Sequence, residues 1–156
     1  MCCNISTTSR ADENLKETVK VDSALTEMNI YNMLIINGIK YPEVVLSQIM
    51  IETGYLSSKL VKTHNNLLGM TVPSKRETTA INKNGFARYI TWTDCIVDYK
   101  FYQDYVLSRH DIKTRAQYIA FLHKNYAKSP TYKKRLTQLS KEYELRNPYN
   151  FANFKL

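Results

Sequence analysis

The feature that most constrains the fold of this chain is an apolar helix that ends beside an acidic residue. The apolar residues at helical spacing are Val44, Val45, Leu46, Ile49 and Met50. Glu52 closes this run, and Gly54 then interrupts the helix. A carboxyl group at such a point is expected to lie partly desolvated at the edge of a cleft, which raises its pKa toward the range that a general acid needs. Glu52 is therefore a candidate general acid, and a solvated glutamate at a helix end is the alternative.

Several ordered blocks surround and follow Glu52 in the sequence. In chain order they are Tyr41-Pro42-Glu43-Val44-Val45-Leu46, Glu52-Thr53-Gly54-Tyr55, Asn65-Asn66-Leu67-Leu68-Gly69-Met70, Gly85-Phe86-Ala87-Arg88-Tyr89 with Trp92, Asp98-Tyr99, and Asn125-Tyr126-Ala127 with Pro130-Thr131-Tyr132. Together they resemble the bacterial and phage glucosaminidase family, glycoside hydrolase family 73, which includes flagellar muramidase domains and cell-wall autolysins. The resemblance runs from about Tyr41 to Tyr143.

This resemblance implies both a fold and an activity. The implied fold is α+β and mainly α, a lysozyme-like domain in which a small β-hairpin lobe faces the helices across a cleft, with Glu52 at its floor. The implied activity is that of a peptidoglycan hydrolase, an endo-β-N-acetylglucosaminidase that cuts the GlcNAc-β-1,4-MurNAc bond. The alternatives are a lytic transglycosylase or muramidase on the same fold, or a non-catalytic glycan-binding or virion structural protein.

The resemblance also suggests partners for Glu52. It places Tyr126 in the cleft, where the tyrosine would orient the N-acetyl group of the sugar; an aromatic residue packed at a helix end is the alternative. Glycoside hydrolysis usually needs a second carboxyl group, and the next acidic residue in the chain is Glu77. A solvated loop residue is the alternative for Glu77, and a mechanism assisted by the substrate's acetamido group needs no second carboxyl. Asp94 and Asp98 are expected to serve the start of a helix.

Four residues are predicted to bind the glycan, namely Asn66, Phe86, Tyr89 and Trp92. The three aromatic residues lie in a predicted hairpin, and Tyr89 is expected to face the sugar because tyrosine offers an apolar face and a hydroxyl group. Asn66 has an alternative role, since asparagine side chains often fix turns by bonding to nearby backbone.

The pattern of helix starts and stops predicts a mainly helical layout. The predicted helices cover residues 23–37, 42–52, 57–63, 94–108, 114–126 and 129–145. Gly38 marks one helix end, Pro42 one start, and Thr114 with Gln117 a capping box. Residues 71–92 are rich in Thr, Asn and β-prone residues and are predicted to form the hairpin.

Length and charge favour one small enzyme domain. The chain has 156 residues, which suits a single core, with a leader over 1–22, a domain over 23–146 and a tail over 147–156. Residues 1–53 hold 4 Lys+Arg against 7 Asp+Glu, whereas residues 54–156 hold 18 against 7. A basic surface attracts polyanions such as peptidoglycan. Nucleic acid is not expected, because no helix-turn-helix, zinc-finger or RRM signature is present.

The cysteines and histidines predict neither a disulfide framework nor a metal site. Cys2 and Cys3 are adjacent, Cys95 is expected to be a small buried residue, and no Cys/His spacing fits zinc. No cofactor is expected, and a monomer is favoured.

The start of the chain has no basic and apolar signal segment, so two routes to the cell wall stay open: delivery by a phage, or a lipid anchor at Cys2 or Cys3 after removal of a lipoprotein signal. Either route predicts action in the cell envelope or outside the cell.

Overall fold

In the part of the chain that the structure describes, the fold is built around six helices, as the mainly α prediction requires. The computed structural model describes residues 24–125 and 129–146. The helices are α1 (Glu27–Ile36), α2 (Pro42–Thr53), α3 (Lys59–His64), α4 (Trp92–Leu107), α5 (Arg115–Asn125) and α6 (Pro130–Arg146). The predicted leader and tail, and with them Cys2 and Cys3, lie outside the described residues.

Helix α2 is the central element of the domain. Most of its residues are buried, including the apolar run from Val44 to Met50. It packs most extensively against α6 and also against α1, while α5 packs on α6 and α1 on α4. Burial of so many large apolar side chains supplies the main driving force for folding. The end of α2 that carries Glu52 is therefore fixed by the core.

The helix boundaries follow the local signals in the sequence. Pro42 occupies the first turn of α2, and Gly38 ends the α1 region with a positive φ of 64°. The capping box at the start of α5 is present, because the Gln117 N–H donates to Thr114 Oγ1 at 3.2 Å and the Thr114 N–H donates to Gln117 Oε1 at 3.0 Å. These predictions are confirmed.

A buried polar network fixes α2 relative to α4 and α5. The Tyr99 hydroxyl donates to Gln48 Oε1 at 3.1 Å and lies 2.7 Å from the Tyr118 hydroxyl. Gln103 donates to the Tyr118 hydroxyl at 3.0 Å and to the Lys40 carbonyl at 2.9 Å, and it accepts from the Lys40 N–H at 2.7 Å. Gln48 Nε2 is buried without a hydrogen-bond partner, but the other groups of the network bond to one another across three helices and so set the direction in which α2 enters the core.

The prediction of a β-hairpin lobe over residues 71–92 is wrong. Within the described residues this segment contains one isolated antiparallel bridge, between Thr71 and Phe86, and no strand. Asn82 explains part of this, because its side chain donates to the carbonyls of Asn84 and Phe86 at 2.8 Å and accepts from the Arg88 N–H at 2.7 Å. Such side-chain bonds satisfy backbone groups that a ladder would otherwise use. The segment, here called the 71–91 loop, is held by these side-chain bonds and by a few separate backbone bonds, such as that from the Ala87 N–H to the Met70 carbonyl at 2.8 Å, instead of by a continuous ladder.

Candidate active site

Glu52 lies in the last turn of α2, at the surface end of the central helix. The helix ends at Thr53, and Gly54 caps it in the left-handed conformation with φ 55°. The buried face of α2 points into the core, whereas Glu52 is an exposed residue. The position expected from the sequence, a carboxyl group at the end of a core helix, is confirmed.

The turn after Glu52 is tightly held in an uncommon conformation. Gly54, Tyr55 and Leu56 are successive left-handed residues, with φ values of 55°, 56° and 66°. Each non-glycine residue in this region costs about 1–3 kcal/mol, so the surroundings must determine the turn. Buried Thr53 does this: its hydroxyl donates to the Ile49 carbonyl at 2.7 Å and accepts from the Leu56 N–H at 2.9 Å. The result is that Tyr55 is held 60% exposed, three residues beyond Glu52.

The electrostatic surroundings of Glu52 suit a general acid. Desolvation by the surrounding protein raises the pKa of Glu52, and the hydroxyl of Tyr132 lowers it by a smaller amount. Although Glu52 as a whole residue is exposed, the protein around its carboxyl group removes enough water for desolvation to prevail. A charge on Glu77 is not among the causes of the shift.

Tyr132 is the neighbour of Glu52 that the sequence analysis did not assign to the site. It lies in the first turn of α6, is 8% exposed, and burial together with the charge of Glu52 raises its pKa. Its hydroxyl oxygen is buried and has no partner that meets hydrogen-bond geometry. The hydroxyl is nevertheless close enough to the Glu52 carboxyl group to favour its charged form, although the contact falls short of full hydrogen-bond geometry.

Glu77 is exposed in the 71–91 loop, and its backbone is fixed. The Arg76 guanidinium donates to the Glu77 carbonyl at 2.7 Å. The same guanidinium forms an ion pair with Asp98, with an Nη1–Oδ1 distance of 2.6 Å and an Nη2–Oδ2 distance of 3.3 Å. The side chains of both partners are buried, at 9% and 0% exposed. Glu77 is thus an exposed loop residue, and the ion pair beside it joins Arg76 to Asp98 on α4.

Asp98 has a different role from the one predicted. Asp94 serves the start of α4 as expected, because its side chain completes a capping box with Thr91. Asp98 does not cap the helix; it accepts from Arg76 and from the Tyr89 hydroxyl, the latter at 2.7 Å. A partner more than twenty residues away determines this role, and no helix-start signal can reveal it.

Two of the aromatic residues predicted to bind the glycan lie in the core. Tyr89 is 2% exposed and Trp92 7% exposed, whereas Phe86 is 55% exposed. Ala87 and Tyr89 point inward and their neighbours outward, as expected of extended chain with a period of two. We therefore withdraw Tyr89 and Trp92 as substrate-binding candidates and retain Phe86.

Asn66 is a structural residue. It is 1% exposed, its amide nitrogen donates to the carbonyls of Met70 and Ala87 at 2.8 Å, and its oxygen accepts from the Met70 N–H at 3.0 Å. These bonds tie the end of the α3 region to the 71–91 loop. The role in a turn is the one that the structure supports, and contact with substrate is not compatible with this burial.

The remaining predictions concern Tyr126, metals and membranes. Tyr126 lies outside the described residues. In the part of the chain that the structure describes, no group of three or more His, Cys, Asp or Glu could hold a metal ion. No helix in residues 24–125 or 129–146 has the length and apolar character needed to cross a membrane.

These features define a helical domain in which desolvation raises the pKa of a carboxyl group at the end of the central helix. A family model described as glucosaminidase, mannosyl-glycoprotein endo-beta-N-acetylglucosaminidase, matches residues 29–145. The chain belongs to this family, because the match covers most of its length, and the family is one of glycoside hydrolases. Comparison with curated proteins and with solved structures gave no match.

Proposed function

We propose that this protein is an endo-β-N-acetylglucosaminidase that cuts the GlcNAc-β-1,4-MurNAc bond of peptidoglycan, with Glu52 as the general acid. The observation that carries the proposal is the desolvation that raises the pKa of Glu52 at the surface end of α2. A carboxyl group that keeps its proton closer to neutral pH can protonate the leaving oxygen of a glycosidic bond. Family membership supports the reaction type.

The charge of the surface supports an anionic substrate over a mannosyl-glycoprotein. A groove of about 510 Å³ along α6 is lined by His123, Lys133, Lys134 and Lys141, together with uncharged residues. None of these three lysines forms an ion pair within the described residues. A cluster of uncompensated positive charge favours a polymer that carries carboxylates, as the peptide stems of peptidoglycan do.

We propose that Glu77 is the second carboxyl group and that Tyr126 orients the acetamido group of the sugar. Two observations support the role of Glu77: Arg76 fixes its backbone carbonyl, and its side chain is exposed. The proposal for Tyr126 derives from the family resemblance alone. Phe86, exposed in the same loop, is proposed to contact a sugar ring.

Digestion of purified sacculi tests the function directly. We expect mass spectrometry to show muropeptides with a reducible GlcNAc terminus, because water attacks the anomeric carbon of that sugar. A high-mannose glycoprotein incubated in parallel should remain intact. Products ending in reducible MurNAc would establish a muramidase, 1,6-anhydro-muramyl products would establish a transglycosylase, and release of oligomannose with intact sacculi would contradict peptidoglycan as the substrate.

The pH dependence of turnover tests the environment of Glu52. A general acid must be protonated, so kcat should fall as pH rises through the pKa of Glu52. This fall is the alkaline limb of the pH–rate profile. Because the Tyr132 hydroxyl lowers the pKa of Glu52, Tyr132→Phe should move the alkaline limb to higher pH. The fold should be retained, since the deleted hydroxyl has no hydrogen-bond partner to leave unpaired.

Tyr143→Phe is the matched control for that experiment. Tyr143 is also a buried tyrosine on α6, but its hydroxyl interacts with Glu27 instead of Glu52. Its removal should leave the alkaline limb in place. A limb that moves equally in both variants, or in neither, would show that Tyr132 does not act on the general acid.

A further inference from the structure

A second, smaller groove lies beside the turn that follows Glu52. It has a volume of about 180 Å³ and is lined by Tyr55, Arg135, Gln138, Leu139 and Glu142. Tyr55 comes from the turn after α2, and the other four residues come from α6. The groove therefore forms where the end of α2 meets α6, the two helices that pack most extensively against each other.

The spacing along α6 connects this groove to Glu52. Tyr132, which interacts with Glu52, is three residues before Arg135, and residues three apart lie on the same side of a helix. Three residues of α-helix advance by about 4.5 Å. The groove thus begins at Arg135, about one turn beyond the point where α6 meets Glu52, and it continues along the helix to Glu142.

The charged groups of the groove are arranged to bind a ligand with polar and charged substituents. No carboxylate of the described residues lies within 4 Å of the Arg135 guanidinium. Gln138 Nε2 donates to Glu142 Oε1 at 3.2 Å, so the carboxylate further along the groove is held by an amide and not by a cation. Tyr55 adds an exposed aromatic face that the preceding turn holds in place.

We propose that this groove is a subsite for the peptide stem of peptidoglycan, in which Arg135 binds a stem carboxylate. The proposal rests on the function proposed above, since it identifies the substituent that accompanies the scissile glycan. A guanidinium binds a carboxylate through two parallel hydrogen bonds, which gives direction as well as attraction. Glu142 is placed to accept from the amino groups that such stems also carry, and Tyr55 packs against the linking chain. The enzyme would thereby distinguish a stem-bearing glycan from plain chitin.

Binding to three probes tests the subsite. The full chain carrying Glu52→Gln is titrated calorimetrically with a stem-bearing tetrasaccharide, the same tetrasaccharide after removal of the stems by an amidase, and chitotetraose. The stem-bearing probe should bind about five- to tenfold more tightly than the other two, as expected of one charge-assisted pair at a partly exposed site. Adding Arg135→Gln should abolish this advantage. Adding Lys62→Gln, which removes a positive charge from an exposed residue on α3 that lines neither groove, should preserve it.

Each result decides the proposal. Equal binding of the three probes, or an advantage that survives Arg135→Gln, would overturn the subsite. An advantage that the amidase-treated probe retains and that Arg135→Gln removes would overturn the assignment to the stem and identify the lactyl carboxylate as the ligand. Cleavage of sacculi by the unmodified chain is measured separately. Cleavage without a stem preference rejects the subsite alone, and a stem preference without cleavage rejects the hydrolase alone.

Discussion

Glu52→Gln should reduce the hydrolysis of peptidoglycan by 10²–10⁴-fold or more, the range typical for removal of a general acid. Glutamine keeps the size and most of the hydrogen-bonding capacity of the side chain, but it has no proton to donate to the leaving oxygen. The free energy of unfolding should change by no more than about 0.5 kcal/mol, because the side chain is exposed. Release of new reducing ends from sacculi measures the first effect, and thermal unfolding followed by circular dichroism measures the second.

Glu43→Gln is the matched control on the same helix. Glu43 lies in the first turn of α2, where its carboxylate accepts from Arg115 Nε at 3.0 Å. This substitution should lower stability slightly and leave turnover near that of the unmodified chain. A folded Glu52→Gln protein with unchanged turnover would end the role of Glu52 as the acid.

Glu77→Gln in the same assay separates two mechanisms. If Glu77 activates water, kcat should fall strongly while stability stays constant, since the side chain is exposed. A substrate-assisted mechanism, in which the acetamido group replaces the second carboxyl, predicts near-normal turnover for Glu77→Gln and a loss on Tyr126→Phe.

The elements that the sequence predicted well are those governed by neighbouring residues. Pro42 and Gly54 bracket α2, and the position of Glu52 between an apolar run and a helix break follows from residues within a few turns of it. The direction of its pKa shift follows as well, because desolvation at the end of a core helix is a local effect. The position and surroundings of Glu52 were therefore accessible before the fold was known.

The elements that the sequence predicted poorly depend on partners far along the chain. Tyr132 reaches Glu52 through the packing of α6 on α2, and nothing near either residue indicates that contact. Tyr89 has the apolar face and hydroxyl group that suit contact with a sugar. Its hydroxyl instead donates to Asp98, which also pairs with Arg76, and the side chain is therefore held in the core. The β propensity of the 71–91 loop was real but insufficient, because asparagine side chains satisfied the backbone groups that a second strand would have paired.

The ion pair between Arg76 and Asp98 leads to the largest expected effect on stability. Asp98→Asn removes one charge and leaves the Arg76 guanidinium buried without compensation, which costs roughly 3–5 kcal/mol in comparable cases. For a domain of this size that loss lowers Tm by on the order of 10 °C or more. The 71–91 loop should loosen with it, because the same guanidinium holds the Glu77 carbonyl. Thermal unfolding measures the loss, and amide hydrogen exchange locates it in the loop.

Two further variants establish that the cost comes from an uncompensated buried charge. Asp104→Asn breaks the exposed pair with Lys100 on the same helix, and its cost should stay below about 1 kcal/mol because solvent screens surface pairs. Arg76→Met combined with Asp98→Asn also removes the uncompensated charge. The side-chain oxygen of the new asparagine can still accept the hydrogen bond that the Tyr89 hydroxyl donates. The double variant should consequently be more stable than Asp98→Asn alone. Two results would contradict this interpretation. Asp98→Asn could lower the free energy of unfolding as little as Asp104→Asn does, or the double variant could be the least stable of the set. Either result would show that the cost does not come from an uncompensated buried charge.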